Sequence, residues 1–465
     1  MSFLIVLAAL CFLMFVAYRG YSVILFAPVA ALGAVLLTDA SLVAPVFTGL
    51  FMEKMVGFLK LYFPVFLLGA VFGKLIEISG FSKSIVAATI RVVGAQRAML
   101  SIVLVCALLT YGGVSLFVVV FAVYPFAAEL FRQSDIPKRL IPGTIALGAF
   151  TFTMDALPGT PQIQNIIPTA FFGTTAWAAP VLGTLGAVFI LVLGMSYLEW
   201  RRRAAARAGE GYGGELRNEP EPFRGDRLAH PLLAILPLLV VGVANFAFTR
   251  WIPQWYGSSA SFVPAVIGNP APVVQEVSKV AAIWAVQAAL LCGIACVIAF
   301  AWKPVLASFA EGTRSAIGGA LLASMNTASE YGFGAVIAAL PGFLVVAHGL
   351  GAIPNPLVNE AVSVTALAGI TGSASGGMSI ALAAMADSFI ANAQAAGIPM
   401  EVLHRVAAMA SGGMDTLPHN GAVITLLAVT GLSHRQSYKD VFAITLVKTL
   451  AVFVVIAAYY LTGWV

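Results

Sequence analysis

Three acidic residues stand alone in otherwise uncharged stretches of the chain. Asp155 is the only charged residue between Arg139 and Glu199, Asp415 the only one between Arg405 and Arg435, and Glu330 the only one between Arg314 and Glu360. A carboxylate held in a membrane interior is expensive, so it is kept where it meets water, a proton or a cation. Two of the three open a segment that breaks a helix: Asp155-Ala-Leu-Pro158-Gly159-Thr160-Pro161-Gln162, and Asp415-Thr-Leu-Pro418-His419-Asn420-Gly421. Such breaks free backbone amides that attract anions, and carbonyls that together with an Asp attract Na⁺ or a proton. We assign Asp155, Asp415 and Glu330 to cation coupling. The two Asp residues could also simply cap the broken helices, a role compatible with binding. No metal-ligand spacing, Gly-x-Ser-x-Gly elbow or His-Glu-x-x-His run is present, so no catalytic residue, metal or cofactor is expected, and the chain reads as a non-enzyme.

Two glycine-rich turns add hydrogen-bonding capacity. Ala98–Ala128 is 31 residues without a charge, about 46 Å as a single helix, and Tyr111-Gly112-Gly113 interrupts it. Its flanks, Arg97 and Arg132, both read as cytoplasmic, which predicts a re-entrant hairpin over 98–132 with Gly112–Ser115 at the tip; a single tilted helix is the alternative. In Ala361–Ala386 the run Thr371-Gly372-Ser373-Ala374-Ser375-Gly376-Gly377 predicts a partner hairpin over 360–395 from the opposite side. Irregular backbone at membrane depth is tolerated only when buried in protein or lining a wet cavity, so these tips should face a site. The predicted substrate-binding set is Gly112, Gly113, Ser115, Pro158, Gly159, Thr160, Gln162, Thr371, Gly372, Ser373, Ser375, Gly376, Ser379, His419 and Asn420. No Lys or Arg falls inside the four breaks. An anion there would be held by helix N-termini, hydroxyls, amides and His419, which suits one small carboxylate. His348 and His404 read as interfacial residues.

The elements that must position these residues are membrane helices. Hydrophobic residues make up 60% of the chain and charged residues 10%, against about 45–50% and about 25% in soluble domains. With a mean hydropathy of +0.96, the chain reads as an all-α polytopic membrane protein. A secreted disulfide scaffold, a nucleic-acid binder and a disordered chain are excluded. The four cysteines lie in apolar stretches and read as small core residues. Allowing about 20 apolar residues per span, we expect about ten transmembrane helices near 2–17, 21–38, 61–79, 140–176 (interrupted), 178–198, 231–249, 278–302, 320–346, 402–430 (interrupted) and 441–463, plus the two hairpins. The first 17 residues lack a basic n-region and a cleavage pattern, and read as a retained span.

The segment 199–230 holds 13 of the 45 charged residues, seven of them Arg, and reads as a cytoplasmic linker. The flanks with Arg132, Lys138 and Arg139 and with His434, Arg435 and Lys439 fall on the same side, and both termini fall outside. The linker divides two halves that repeat. Gly112-Gly113-Val-Ser115 recurs as Gly376-Gly377-Met-Ser379 at an offset of 264, and Met154-Asp155-Ala-Leu-Pro158 recurs as Met414-Asp415-Thr-Leu-Pro418 at 260. Ile136-Pro137 matches Ile398-Pro399 at 262, and Phe72-Gly73 matches Phe333-Gly334 at 261. Each half has an odd number of full spans, so the second enters the membrane upside down. This predicts a first inverted repeat over 1–198, with broken helix 140–176, and a second over 231–465, with broken helix 402–430, sharing a site near the midplane.

The pattern resembles the gluconate permease family of the ion-transporter superfamily from about Phe72 to Asp440. Its most specific pieces are Leu157-Pro158-Gly159-Thr160-Pro161, Ile370-Thr371-Gly372-Ser373-Ala374 and Pro418-His419-Asn420. The resemblance implies a symporter for small hydroxylated or keto monocarboxylates in a bacterial-type inner membrane, driven by H⁺ or Na⁺. It also implies a homodimer with a scaffold and a mobile domain, and members that carry 3-hydroxybutyrate look closest. Where the family's first break usually reads Pro-Pro-His-Pro-Gly-Pro, this chain lacks the histidine, and the paired Asp residues also depart from gluconate permeases. Both differences fit a smaller, less hydroxylated acid. The competing reading is a cation/proton antiporter without an organic substrate; the hydroxyl- and amide-rich second hairpin argues against it.

Overall fold

The computed structural model describes residues 2–19, 21–94, 97–114, 116–213, 217–220, 228–264, 271–343, 345, 349, 353–418 and 420–465. The chain is an all-α multi-pass membrane protein. Its N-terminal helices are α1 (Ser2–Tyr18), α2 (Val23–Thr38), α3 (Glu53–Ile78) and α4 (Phe81–Val93). Two helices joined by a tight turn follow, α5 (Ala98–Tyr111) and α6 (Leu116–Gln133). The first broken helix comprises α7 (Ile141–Ala149), α8 (Phe152–Asp155) and α9 (Ile163–Phe172), and the long α10 (Pro180–Arg207) closes this part. After α11 (Pro231–Tyr256) and α12 (Ala281–Ala339), a comparable series appears: the pair α13 (Pro356–Thr371) and α14 (Ala374–Ala395), then α15 (Met400–Gly412), a 3₁₀ turn Gly413–Thr416, a break, α16 (Gly421–Thr430) and the long α17 (His434–Thr462).

The element ends follow from their residues. Asn355 accepts from the Val358 amide with Pro356 in the first turn of α13, and Asn420 accepts from the Ala422 amide at the start of α16; both oxygens satisfy amides that have no partner in the helix. Ser433 and Gln436 form a capping box for α17. The predicted tips are turns: Gly113 has φ +95° and Gly372 has φ +66°, conformations that only glycine adopts without strain.

The span count is corrected. Among the described residues six helices are long and apolar enough to cross a membrane, Ala40–Ile78, Pro180–Arg207, Pro231–Tyr256, Ala281–Ala339, Ala374–Ala395 and His434–Thr462, and not ten. Most of the spans read at 278–302 and 320–346 falls on one 59-residue helix, Ala281–Ala339, kinked at Ala301 ahead of Pro304. The first two spans are helices of 17 and 16 residues. The sequence reading also contained no strand, yet a small exposed antiparallel ribbon joins α11 to α12, with Ser259–Phe262 paired to Val273–Glu276. Four-residue strands are too short to show a period.

Packing divides the helices into two neighbourhoods. In one, α12 lies along α3, α11 and α2, and α1 covers α2; in the other, α13, α14, α15, α9, α5, α7, α10 and α17 pack on one another. They are joined above all where α12 runs along α14. At one end the charged flanks meet: Lys138 pairs with Glu219 at 2.7 Å, Arg132 also pairs with Glu219, and Asp440 bridges Arg139 (3.2 Å) and Arg201 (2.5 Å). The Arg139 guanidinium hydrogen-bonds Glu210 and holds its carboxyl below the usual range. Residues at and just after the end of α6, at the end of α10, beyond it and in α17 thus meet at one place.

Candidate functional site

Among the described residues the four breaks come together as two clusters, linked through Asp415 and through side chains of the second broken helix and α17. In the first, the α5–α6 tip sits against the break after α8. The Tyr111 hydroxyl donates to the Pro158 carbonyl at 2.8 Å, and the Gln162 amide donates to the carbonyls of Thr110 (2.7 Å) and Val114 (3.3 Å). Gly113 faces the Pro161 ring, Gly112 faces Leu238 of α11, and the Trp177 ring packs on Gly159. The Gly159 carbonyl accepts from Asn245 of α11 at 3.1 Å. Thr160 is fully buried, and its hydroxyl has no hydrogen-bond partner.

In the second cluster, the α13–α14 tip sits against the break after α15. Asn420 donates to the Gly372 carbonyl at 2.7 Å and to Asp415 Oδ1 at 3.2 Å. Ser373 caps α14 by accepting from the Gly376 amide (3.1 Å), and Ser375 meets Thr327 of α12 (3.3 Å between hydroxyl oxygens). Thr371 and Ser379 turn their hydroxyls back onto carbonyls of their own segments, so they support the backbone. Asp415 joins the clusters: Oδ1 also accepts from the Ala374 amide at 2.9 Å, and Oδ2 accepts from Gln164 of the first break at 3.0 Å. Ser115 and His419, both predicted for the site, lie outside the described residues.

Asp155 has a partner the sequence reading did not assign. Lys448, in the middle of α17, pairs with Asp155 Oδ2 at 2.5 Å and donates to the Phe150 carbonyl at 3.1 Å; both side chains are fully buried. Gly412 lines this pair, and a Cβ there would overlap the Asp155 carboxylate. Arg405, which in the sequence only bounds the uncharged stretch around Asp415, is also fully buried. Its guanidinium donates to the carbonyls of Asp155 (2.6 Å) and Ala178 (2.7 Å) and to Asn165 Oδ1 (3.0 Å), stitching the two ends of the first break together. Asn165 in turn donates to the carbonyls of Thr160 and Ala176. Two basic groups thus reach the breaks from outside them, and both are engaged by protein acceptors.

The placement of His404 at an interface is overturned: it is fully buried, with Nδ1 2.7 Å from the Thr174 hydroxyl and Nε2 3.2 Å from Asn165 Oδ1. His348 lies outside the described residues. Glu330 is buried on α12 at the level of Gly376, and its Oε2 has no hydrogen-bond partner. Glu360, which bounded the second hairpin in the sequence, is buried too, with neither oxygen hydrogen-bonded. The missed polar residues had a local signal, the run Gln162-Ile-Gln164-Asn165 inside an apolar helix. Lys448 had one as well, as a lysine at the centre of a span.

No group of three or more potential metal ligands occurs among the described residues. No protein-family model matches the chain. Its fold is similar to that of the crystal structure of the Alcanivorax borkumensis YdaH transporter, with a TM-score of 0.51 and 16% identity over 92% of this chain and 90% of that one. In sequence it is 61% identical over 474 aligned positions, covering 100% of both chains, to the uncharacterized transporter YxjC of Bacillus subtilis. At that identity along its whole length, this membrane protein belongs to the transporter family of YxjC.

Proposed function

We propose that the protein is a secondary active symporter that imports a small hydroxy or keto monocarboxylate, similar to 3-hydroxybutyrate or gluconate, together with H⁺ or Na⁺. The observation that carries this reading is the convergence on Asp415, where one buried carboxylate accepts from Gln164 of the first break, Asn420 of the second and the first amide of α14. A cation or proton at Asp415 and an anion at the neighbouring helix N-terminus would each change the other's binding, as coupling requires. Asp155 and Glu330 are the other coupling carboxyls, and the hydroxyls and amides of the tips are the substrate's partners. The halves 1–198 and 231–465 act as inverted repeats around this site, with 199–230 in the cytoplasm and the carrier a homodimer in the inner membrane. The neighbourhood of α5–α10 and α13–α17 moves against the frame of α1–α3, α11 and α12. Supporting this are the similar order of elements in the two halves and the resemblance to gluconate permeases.

The test is uptake of labelled 3-hydroxybutyrate and of gluconate into proteoliposomes under an imposed pH gradient and then a Na⁺ gradient. Uptake of one of the acids under one gradient is expected, and D415N should reduce it to the level of empty liposomes. Near-normal uptake by both D155N and D415N would remove the coupling assignment. If neither acid moves while an internal pH dye responds to added Na⁺, the protein is a cation/proton antiporter.

A further inference from the structure

Where α12 runs along α14, one buried carboxyl group stands in the contact between the two neighbourhoods. Along the α12–α14 interface Thr327 meets Ser375, Glu330 meets Gly376 and Gly334 meets Ile380, so the three α12 residues, three and four apart, share the face turned to α14. A Cβ at position 376 would coincide with the Glu330 carboxylate, so the glycine is what admits it. The carboxylate is 3% exposed and its Oε2 lacks a hydrogen-bond partner, yet it points at the first turn of a 22-residue helix. That turn is where positive potential from unpaired amides is greatest and where a carboxylate ligand binds. Asp415 accepts from its first amide and Ser373 from its third and fourth, so the Ser375 amide is the one of this turn with no acceptor among the described residues.

We propose that Glu330 and the carboxylate of the transported acid compete for this first turn of α14, so that the acid binds there only when Glu330 holds a proton. The inference rests on the symporter reading above and adds an order of events and a stoichiometry to it. An ionised Glu330 lies where an anionic ligand would have to sit, beside the Asp415 charge, and repels it. A proton on Glu330 removes that charge and releases the turn. One acid and one proton then enter together, and because Glu330 stands on the frame helix and Gly376 on the other neighbourhood, exchanging one for the other alters the contact between them.

The charged and titratable groups around Glu330 are few. From the second break Asp415 acts on it across the α14 N-terminus. On its own helix, Tyr331 turns to the aromatic cluster of Phe58 and Phe171. From α3, the Tyr62 hydroxyl is engaged by the Ile167 carbonyl, while Glu53, Lys54 and Lys60 are exposed at the surface. On α14 the facing residues are Ser375 and Gly376, which do not titrate.

The experiment measures binding of labelled 3-hydroxybutyrate and gluconate to the purified full-length protein from mildly acidic to mildly alkaline pH, and then transport in proteoliposomes. Wild type is expected to lose about tenfold in affinity per pH unit on the alkaline side, as uptake of one proton per bound acid requires. E330Q is expected to bind without that dependence, to exchange labelled for unlabelled acid across the membrane, and to fail to accumulate it under a pH gradient. E330Q that keeps the wild-type slope and accumulation overturns the competition while leaving the symporter reading intact. So does wild-type accumulation driven by Na⁺ alone. Should E330Q not fold, a pH dye reports proton uptake on addition of acid to wild type, and its absence overturns the proposal. A wild type that neither binds nor moves either acid overturns the symporter reading and this inference with it.

Discussion

Lys448→Met, made alone, is expected to lower the melting temperature of the detergent-solubilised protein sharply and to deplete it from the membrane fraction. The substitution leaves the Asp155 carboxylate fully buried without its cation, and stranding one member of a buried pair costs about 3–5 kcal/mol. D155N should have a comparable effect by stranding the ammonium. The double variant D155N/K448M should recover most of the lost stability, since removing both charges removes the desolvation problem together with the attraction. It should not recover gradient-driven uptake if Asp155 takes part in coupling. Melting curves of the two single variants and the double variant decide the matter: losses that simply add would show that the two side chains do not interact.

The second large effect is expected at Arg405. Its guanidinium holds three acceptors at once, the Asp155 carbonyl at one end of the first break, the Ala178 carbonyl beyond the other, and Asn165 Oδ1 between them. Each buried acceptor left without a donor costs about 1–3 kcal/mol. Lysine keeps the charge but offers one compact ammonium in place of a planar fork, so R405K should fail nearly as badly as R405M. The readout is the yield of monodisperse protein on size exclusion, followed by melting. A well-folded R405K with normal uptake would show that the break does not depend on this geometry.

The discontinuities were legible in the sequence because their causes are local. Proline and glycine disrupt a helix wherever they stand, and a lone acid in an apolar stretch is conspicuous without knowledge of its neighbours. Hence the turns at Gly113 and Gly372 and the breaks after Asp155 and Asp415 follow from residues read in order. The number of long helices was not legible, because a hydropathy window cannot tell two spans from one helix kinked at Ala301, nor a continuous helix from the short pieces of the two broken ones.

Only the tertiary structure decided who meets whom. Gln164 and Asp415 are 251 residues apart, Arg405 and the Asp155 carbonyl 250, and no periodicity links such partners. His404 reads as an interfacial residue and Arg405 as no more than the end of an uncharged stretch, yet both are fully buried against the first break. In an apolar medium every polar group needs a partner within about 3 Å. The sequence shows which groups carry that need, and packing alone determines that Asp155 meets it with Lys448, Asp415 with the tip of α14, and Glu330, on Oε2, with no protein donor.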